Sequence, residues 1–408
     1  MIVKVFKCFT KYILLIASVA LLSISAVQAK TLLLGMSAAL TGPTKDLGQG
    51  MKLGIETYLN YVNQTGGIAG NKLKLVALDD RYEPYLTKRN MLKLARNKNI
   101  LAIVGNVGTP TAAVSVPIAN EENILLFGTF SGAGVLRNIP PDRYVMNYRA
   151  SYAQEVTKMV NSLLKAGIKP NQMAFFTQDD SYGDSGYLGA VHALELAGYD
   201  NKIIEQIPHG RYPHNTLNIE AGLQKILETH KDISVFILVG TYKPVVKFIK
   251  QAKQHYPKAH YLNISFVGAE ALATELCKNN RNLCAEYSKN IIMTQVVPHY
   301  NSDIPIAKEF IKNLQLFVPK AKPTFAVFEG YIVAKIITLG LKRAGSHPTR
   351  ESLIDGLEMI TEANIGIGFP ITFSKKRHQV SDKVWITVIE LDQQLKWKQI
   401  DNINFRRK

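Results

Sequence analysis

Short apolar runs alternate with helix-like periodic stretches along almost the whole chain, and this alternation occurs in two rounds. The first round covers residues 32 to about 147, and the second covers about 150 to 268. Strands that are continuous apolar runs are typical of parallel sheets covered by helices on both faces. Each round is as long as one doubly wound domain, so the sequence predicts an α/β fold with two Rossmann-like lobes.

The predicted strands are runs of β-branched and aliphatic residues. They cover 32–36, 73–78, 101–104, 124–127, 173–177, 202–207, 235–239, 261–267 and 291–297. Between them, helical periodicity is clearest where Met51, Ile55, Leu59 and Val62 fall on one face. This alternation of strands and helices predicts parallel strands that are connected by helices.

The last third of the chain is predicted to form helices that cover the two sheets and not to start a third lobe. Two long helices are predicted at about 304–316 and 324–344, followed by late edge strands at 371–373 and 384–391. The chain would then cross between the lobes three times, which makes a three-segment hinge.

The predicted lobe boundaries follow from these crossings. Lobe 1 is predicted to contain residues 30–148 and 298–362, and lobe 2 to contain residues 149–297 and 363–408.

Residues 1–29 are predicted to be a secretory signal peptide. Three lysines precede an apolar stretch at 12–22, and the string 27–29 (VQA) supplies small residues that suit cleavage after Ala29. The alternative is an uncleaved anchor, although the uncharged stretch 12–27 is slightly short for a membrane span. We therefore expect a periplasmic protein.

The two cysteines that would remain after export are Cys277 and Cys284. In an oxidising compartment a local disulfide between them is the simplest interpretation, and two free thiols are the alternative. A metal site is not expected, because no third thiol or suitably spaced histidine pair lies nearby.

The formal net charge is +17, but the lysines and arginines are scattered along the chain. The charge could steer an anionic partner, or it could reflect the composition of the source proteome; the scatter favours the second reading. No basic tract indicates a nucleic-acid partner.

Glycines and hydroxyl groups follow two strands of the first lobe, where ligands of parallel sheets bind. Thr109 and Pro110 form a helix start after the 101–104 strand, and Phe130, Ser131 and Gly132 follow the 124–127 strand. A helix start with free N–H groups can hold a carboxylate or another anion. The alternative is an ordinary capped turn.

The second lobe has matching loops. Tyr182 follows one predicted strand, Tyr242 follows another, and Glu270 follows a third. Tyrosines supply apolar area with a polar tip. Glu270 could neutralise an ammonium group, or it could be a solvated or helix-capping carboxylate.

Enzyme motifs are poorly represented in the sequence: residues 162–165 (SLLK) match SxxK, but without its companion motifs chance is the better explanation. It has no GxGxxG after the first strand, no GxxxxGK[ST] and no GxSxG. His209 and His214 lie in a turn-rich segment and are interpreted as solvated surface residues rather than metal ligands.

The chain resembles the type I periplasmic solute-binding proteins, in particular the leucine/isoleucine/valine-binding family of ABC transporters. The resemblance is carried by the order and spacing of short strings across residues 30–408. These strings are 37–43 (SAALTGP), 78–80 (LDD), 105–112 (GNVGTPTA), 131–133 (SGA), 180–183 (DSYG) and 268–270 (GAE).

The resemblance implies roles for the first-lobe loops. Thr109 with the following helix start, and the Ser131–Gly132 loop, would hold the ligand's α-carboxylate. This sequence departs from the family at both loops: the serine-rich string is Gly-Thr-Pro-Thr here, and Phe130 and Gly132 stand where a hydroxyl is often found. These departures bear on which side chain the pocket prefers.

For the second lobe, the resemblance implies that Tyr182 and Tyr242 close over the ligand and that Glu270 pairs with its α-ammonium group. Thr241 is the alternative to Tyr242, and Tyr152 is a further candidate just past the first crossing.

The implied function is the substrate-binding component of an ABC importer. It would capture a small, branched-chain-like amino acid by hinge closure, work as a monomer without a cofactor, and deliver the ligand to a membrane permease. A binding protein for an aromatic acid, amide or urea, and an α/β enzyme, are the alternatives.

Overall fold

The computed structural model of the protein describes residues 30–229, 231–278, 283–391 and 395–403. The predicted signal peptide and its cleavage after Ala29 lie outside these residues. Among the residues described, no helix is both long enough and apolar enough to cross a bilayer.

The first sheet is parallel throughout, with the strand order β2-β1-β3-β4-β5. Its strands are β1 (Thr31–Ala38), β2 (Lys72–Asp79), β3 (Ile100–Val104), β4 (Leu125–Phe127) and β5 (Val145–Met146). The intervening helices are α1 (Lys45–Gln64), α2 (Pro84–Arg96) and α3 (Thr109–Glu121). The central strand β3 is completely buried, as its continuous apolar run requires.

The second sheet has seven strands in the order β12-β11-β10-β9-β8-β6-β7. They are β6 (Met173–Asp179), β7 (His209–Pro213), β8 (Val235–Val239), β9 (His260–Asn263), β10 (Ile291–Gln295), β11 (Trp385–Leu391) and β12 (Leu395–Ile400). The five strands β6 to β10 pair in parallel, and β11 and β12 add an antiparallel edge.

In the part of the chain that the structure describes, seven helices accompany this second sheet. They are α4 (Tyr152–Lys165), α5 (Ser181–Leu196), α6 (Asn201–Ile204), α7 (Glu220–Leu227), α8 (Tyr242–His255), α9 (Ala269–Cys277) and α10 (Cys284–Ser288). A disulfide joins Cys277 to Cys284 and so ties the end of α9 to the start of α10. Two α/β lobes of the expected type are therefore present.

Three late helices return to the first lobe: α11 (Pro305–Phe317), α12 (Phe325–Arg343) and α13 (Arg350–Glu358). Helix α12 packs closely on α1 because glycines face the contact. A Cβ on Gly54 would lie 1.9 Å from the Val327 carbonyl oxygen, and one on Gly330 would lie 2.3 Å from that of Met51. Only a residue without a side chain allows the two backbones to approach so closely.

The chain passes between the lobes three times, and the third passage lies late. Phe373 packs on Phe127 of the first sheet, and the Val380 N–H donates to the Asn147 carbonyl at 3.1 Å. These contacts favour a third crossing near Asp382, whereas the predicted boundary lies at 363. The division of the chain into lobes stays a prediction.

Two strand predictions were wrong. Residues 202–207 contain helix α6, because the Asp200 side chain accepts the Lys202 N–H and starts a helical turn; the strand is β7, farther along. Residues 371–373 form no sheet strand, and Ile371 makes only an isolated bridge with Ala363.

Candidate functional site

A cavity of about 1200 Å³ lies between the two lobes. Its walls come from α1 and α12 on one side, from α8 and α9 on the other, and from the β11–β12 hairpin. Ligand pockets of roughly 300–1,000 Å³ hold drug-sized molecules, so this cavity has ample room for an amino acid or a larger solute.

Glu270 forms part of the cavity wall at the start of α9. Its Oε2 accepts the N–H of Phe325, the first residue of α12, at 3.2 Å, and so links the two lobes. Its Oε1 is buried and accepts no hydrogen bond within 3.5 Å from the described residues, although the Tyr300 hydroxyl lies beside the carboxylate. Burial raises the pKa of this carboxyl to about 7, against the effects of the Phe325 N–H and the Tyr300 hydroxyl beside it. A cationic group in the cavity would offset the cost of burying this carboxyl in its charged form.

Tyr242 also lines the cavity, at the start of α8. Its hydroxyl donates to Asp46 Oδ2 of α1 at 2.5 Å, which makes a second link between the lobes. Burial, followed by the neighbouring Asp46, raises the pKa of Tyr242, so the phenol remains a donor. The alternative residue, Thr241, is buried and its N–H donates to the Tyr212 hydroxyl instead.

The predicted carboxylate loops meet each other but do not line this cavity. The Thr109 and Ser131 hydroxyl oxygens are 2.8 Å apart, and the Tyr152 hydroxyl lies beside both. All three residues are buried. A Cβ at Gly132 would lie 2.5 Å from the Tyr152 ring, so that ring fills the space beside the Gly132 backbone.

Phe266 closes the space in front of these loops. Its ring centroid is 6.1 Å from that of Tyr82, 5.5 Å from Phe130, 6.4 Å from Tyr152 and 4.6 Å from Tyr182. We call these five residues the aromatic seam. Tyr82 and Phe130 come from the first lobe and the other three from the second, so the seam closes the lobes against each other.

Tyr182 lies in the seam rather than on the cavity wall, and its hydroxyl donates to the Gly240 carbonyl at 3.0 Å. The predicted site residues therefore divide into two groups. Tyr242 and Glu270 line the cavity, whereas Thr109, Ser131, Gly132, Tyr152 and Tyr182 lie at or behind the seam. The two groups adjoin at Phe130, which belongs to the seam and also lines the cavity.

Arg149, on the first crossing, was missed by the sequence analysis. It is 1% exposed, donates from Nη2 to Ser265 Oγ, and places its guanidinium 4.4 Å from the Phe130 ring centroid. Its Nε lies 3.6 Å from Glu329 Oε1, and its Nη2 lies 3.9 Å from Glu155 Oε1. A buried charged cluster thus lies directly behind the cavity wall, because Phe130, Ser265 and Glu329 all line the cavity.

No sequence signal marked Glu329 as a site residue. It lies within the long apolar helix α12, which the sequence identified only as cover for a sheet. A single acid in an otherwise apolar stretch of that helix is the one signal that could have pointed to it.

His214 and His209 are not solvated as predicted. His214 Nδ1 lies 2.5 Å from Asp180 Oδ2, and its Nε2 lies 3.1 Å from the Tyr82 carbonyl oxygen of the first lobe. His209 Nε2 is 2.8 Å from Thr177 Oγ1, and the ring stacks on Tyr187. The turn-rich sequence around the two histidines suggested that they are exposed, but neighbouring strands and the other lobe partly cover their side chains.

The His214 contact predicts a pH-dependent stability. Burial acts to lower the pKa of His214, but the bond to Asp180 and its charge outweigh burial, so the pKa is raised. The contribution is complete below the unfolded pKa of about 6.5 and is lost as the pH rises through the raised folded value. Melting temperatures of His214→Gln should therefore fall below wild type most at pH 5.5 and least at pH 8.5.

The matched control for this prediction is His347→Gln, because His347 is exposed. It should follow the wild-type melting temperature at every pH. A constant difference between His214→Gln and wild type across this range would contradict the prediction.

Within the part of the chain that the structure describes, no three His, Cys, Asp or Glu side chains cluster so as to hold a metal ion.

Comparison with known proteins gives a consistent result. The family model for periplasmic binding proteins matches residues 31–394. A crystal structure of a possible leucine/isoleucine/valine-binding protein from Rhodopirellula baltica SH 1 is 38% identical, with a TM-score of 0.85 over 92% of this chain and 98% of that one.

Curated relatives are more distant. The Leu/Ile/Val-binding protein of Escherichia coli K12 is 22% identical over 81% of this chain and 84% of its own length. Leu/Ile/Val-binding protein homolog 7 of Brucella suis biovar 1 is 26% identical over 57% of this chain, and the match spans only 62% of that relative's length.

Proposed function

Because this chain belongs to the type I periplasmic binding proteins of the leucine/isoleucine/valine-binding family, we propose that it captures a small amino acid or similar amine-bearing solute between its two lobes. It would then deliver the ligand to the membrane permease of an ABC importer. Membership of the family implies export to the periplasm; removal of residues 1–29 and a monomeric state are part of the proposal.

One observation carries this proposal: the cavity wall includes Glu270, whose buried Oε1 accepts no hydrogen bond from the described residues. An ammonium group placed there would donate a charge-assisted hydrogen bond to Oε1 and would favour the ionised form of the buried carboxylate. Since Glu270 also contacts Phe325 across the cleft, ligand binding and lobe closure would involve the same side chain. No covalent step is required.

A second candidate is a binding protein for a solute without an α-carboxylate. It is favoured by the aromatic seam, which covers the helix start at Thr109 where a carboxylate was expected to bind. An amide or a simple amine would fit the cavity without needing that helix start.

Mass spectrometry of small molecules released when the purified protein is denatured tests the proposal. Melting temperatures measured with the standard amino acids, amides and carboxylic acids test it independently, because a ligand that binds only the folded state stabilises it by mass action. We expect an amine-bearing molecule in both experiments. Chemical conversion of the ligand during incubation would instead indicate an enzyme.

A further inference from the structure

Polar contacts also join the two lobes outside the cavity, between the turn after β2 and the turn after β7. The Tyr82 carbonyl oxygen lies 3.1 Å from His214 Nε2. The Asn215 side-chain amide donates to the Arg81 carbonyl at 3.3 Å and to Glu83 Oε1 at 2.6 Å. We call these five residues the interlobe latch; none of them is among the described residues that line the cavity.

The first-lobe half of the latch is a turn held in an unusual backbone conformation. Arg81 and Tyr82 have φ values of 53° and 67°, which residues with a side chain adopt rarely. Asp79 Oδ1 accepts the Arg81 N–H and Asp80 Oδ1 accepts the Tyr82 N–H, both at 3.0 Å. With both N–H groups bound within the first lobe, the two carbonyls are left as acceptors for the second. Such conformations persist only where the surroundings hold them, and they are typical of switch regions.

His214 has to be protonated to make both of its contacts. Its Nε2 faces the Tyr82 carbonyl, its Nδ1 lies 2.5 Å from Asp180 Oδ2, and both oxygens only accept. A neutral imidazole has one N–H group and one bare nitrogen, whereas the imidazolium has two N–H groups. The Gln178 amide nitrogen is 3.2 Å from Nδ1, but accepting from it would leave a bare Nδ1 facing the carboxylate at 2.5 Å. Loss of the proton therefore breaks one of the two bonds.

The charges that face His214 favour its protonated form. Asp180 belongs to its own lobe and Glu83 to the other, and burial acting to lower the pKa of His214 is outweighed by the bond to Asp180 and its charge. The Tyr82 ring packs on the imidazole with centroids 4.8 Å apart, and burial raises the pKa of Tyr82 well above its usual range, so its phenol stays neutral. Two cations of these turns form ion pairs elsewhere, Arg81 with Asp79, and Arg211 with Asp179 and Asp184.

We propose that the interlobe latch makes closure of the lobes, and with it ligand affinity, stronger at acidic than at alkaline pH. This deepens the proposed function and rests on it, because closure holds a ligand only if the cleft binds one. When His214 is protonated, its Nε2–H donates to the Tyr82 carbonyl and joins the lobes. When it is neutral, a bare nitrogen faces that carbonyl in the closed form and water in the open form.

The sign of the effect follows from linkage. The closed form binds the proton of His214 more tightly than the open form does, so acid favours closure. The stabilisation of the closed form is complete below the open-form pKa and is lost as the pH rises through the closed-form pKa.

Small-angle X-ray scattering of the protein without added ligand tests the latch directly. The wild type should have a smaller radius of gyration at pH 5.5 than at pH 8.5, and His214→Gln should lose this difference. His347→Gln is the matched control, because His347 is exposed, and it should behave as the wild type does. An equal radius of gyration of the wild type at the two pH values overturns the inference.

Asn215→Gly separates the pH-dependent bond from the rest of the latch. Asn215 has a φ of 56°, which glycine adopts readily, so this variant removes the side-chain bonds to the other lobe without straining the turn. It should open the lobes somewhat at both pH values and keep a difference between them. Loss of the difference in Asn215→Gly but not in His214→Gln would overturn the role of His214.

Titration calorimetry with L-leucine measures the effect on the ligand site. The affinity of the wild type relative to that of His214→Gln should be about tenfold higher at pH 5.5 than at pH 8.5, which is the scale of one hydrogen bond to a charged group. This ratio removes the contribution of other groups that titrate in the same range, among them Asp80 and Glu270, whose pKa values burial raises to about 6 and about 7.

The outcomes distinguish the latch from the proposed function. A ratio that does not change with pH overturns the inference while L-leucine binding still supports capture of an amino acid. No binding of L-leucine at either pH counts against capture of an amino acid, and the scattering experiment then decides the latch.

Discussion

Replacing Glu270 with alanine should weaken amine binding at least ~100-fold. Removing one partner of a buried charge pair costs about 3–5 kcal/mol, and each 1.4 kcal/mol is a factor of ten in affinity. The melting temperature without ligand should change little, because Glu270 makes one bond to Phe325 and its own burial is unfavourable. Titration calorimetry with the stabilising amine measures the effect.

The control for this substitution is Glu220→Ala on α7, whose exposed carboxylate lies outside the cavity and pairs with the Lys247 ammonium. It should bind the amine as the wild type does. If Glu270→Ala kept wild-type affinity, Glu270 would be a structural link between the lobes and not a ligand-binding residue.

Replacing Gly54 with alanine should destabilise the protein by about 3 kcal/mol, at the upper end of typical overpacking costs. The added Cβ would lie 1.9 Å from the Val327 carbonyl oxygen and 2.7 Å from the Tyr331 nitrogen. Both are backbone atoms, so α1 and α12 must move apart. Urea unfolding followed by circular dichroism would show a lower midpoint.

Gly134→Ala is the matched control for Gly54→Ala. A Cβ at Gly134 meets nothing within 4 Å, and its φ is not in the left-handed region. The control should unfold at the wild-type urea concentration. Because α1 and α12 both line the cavity, Gly54→Ala should also weaken ligand binding. An unchanged unfolding midpoint would show that the helix contact can adjust.

The two lobes could be predicted because each of their buried strands is marked by a local sequence pattern. Buried parallel strands such as β3 and β8 are uninterrupted apolar runs, which the sequence displays directly. The prediction of a strand at 202–207 was wrong because the Asp200 side chain caps a short helix there. The contacts of Phe373 and Val380 with the first lobe, which favour a later third crossing, join residues far apart in sequence and so give no local signal.

The site could be predicted only in part. Glu270 and Tyr242 line the cavity because the ends of neighbouring strands place them there. Phe266 belonged to a predicted strand, so its sequence position suggested a core residue and gave no sign that it faces the other lobe. The cluster around Arg149 depends on three segments meeting at the first crossing, which no local pattern reveals.

The aromatic seam has a consequence for how a docking partner at the membrane distinguishes loaded from empty protein. Because its five rings are the protein's own side chains, they would hold an empty carrier closed as well as a loaded one. A docking partner that recognised outline alone would be occupied by empty carriers. Discrimination would then depend on groups that the guest itself alters, and the protonation of the Glu270 carboxyl on the cavity wall is such a difference.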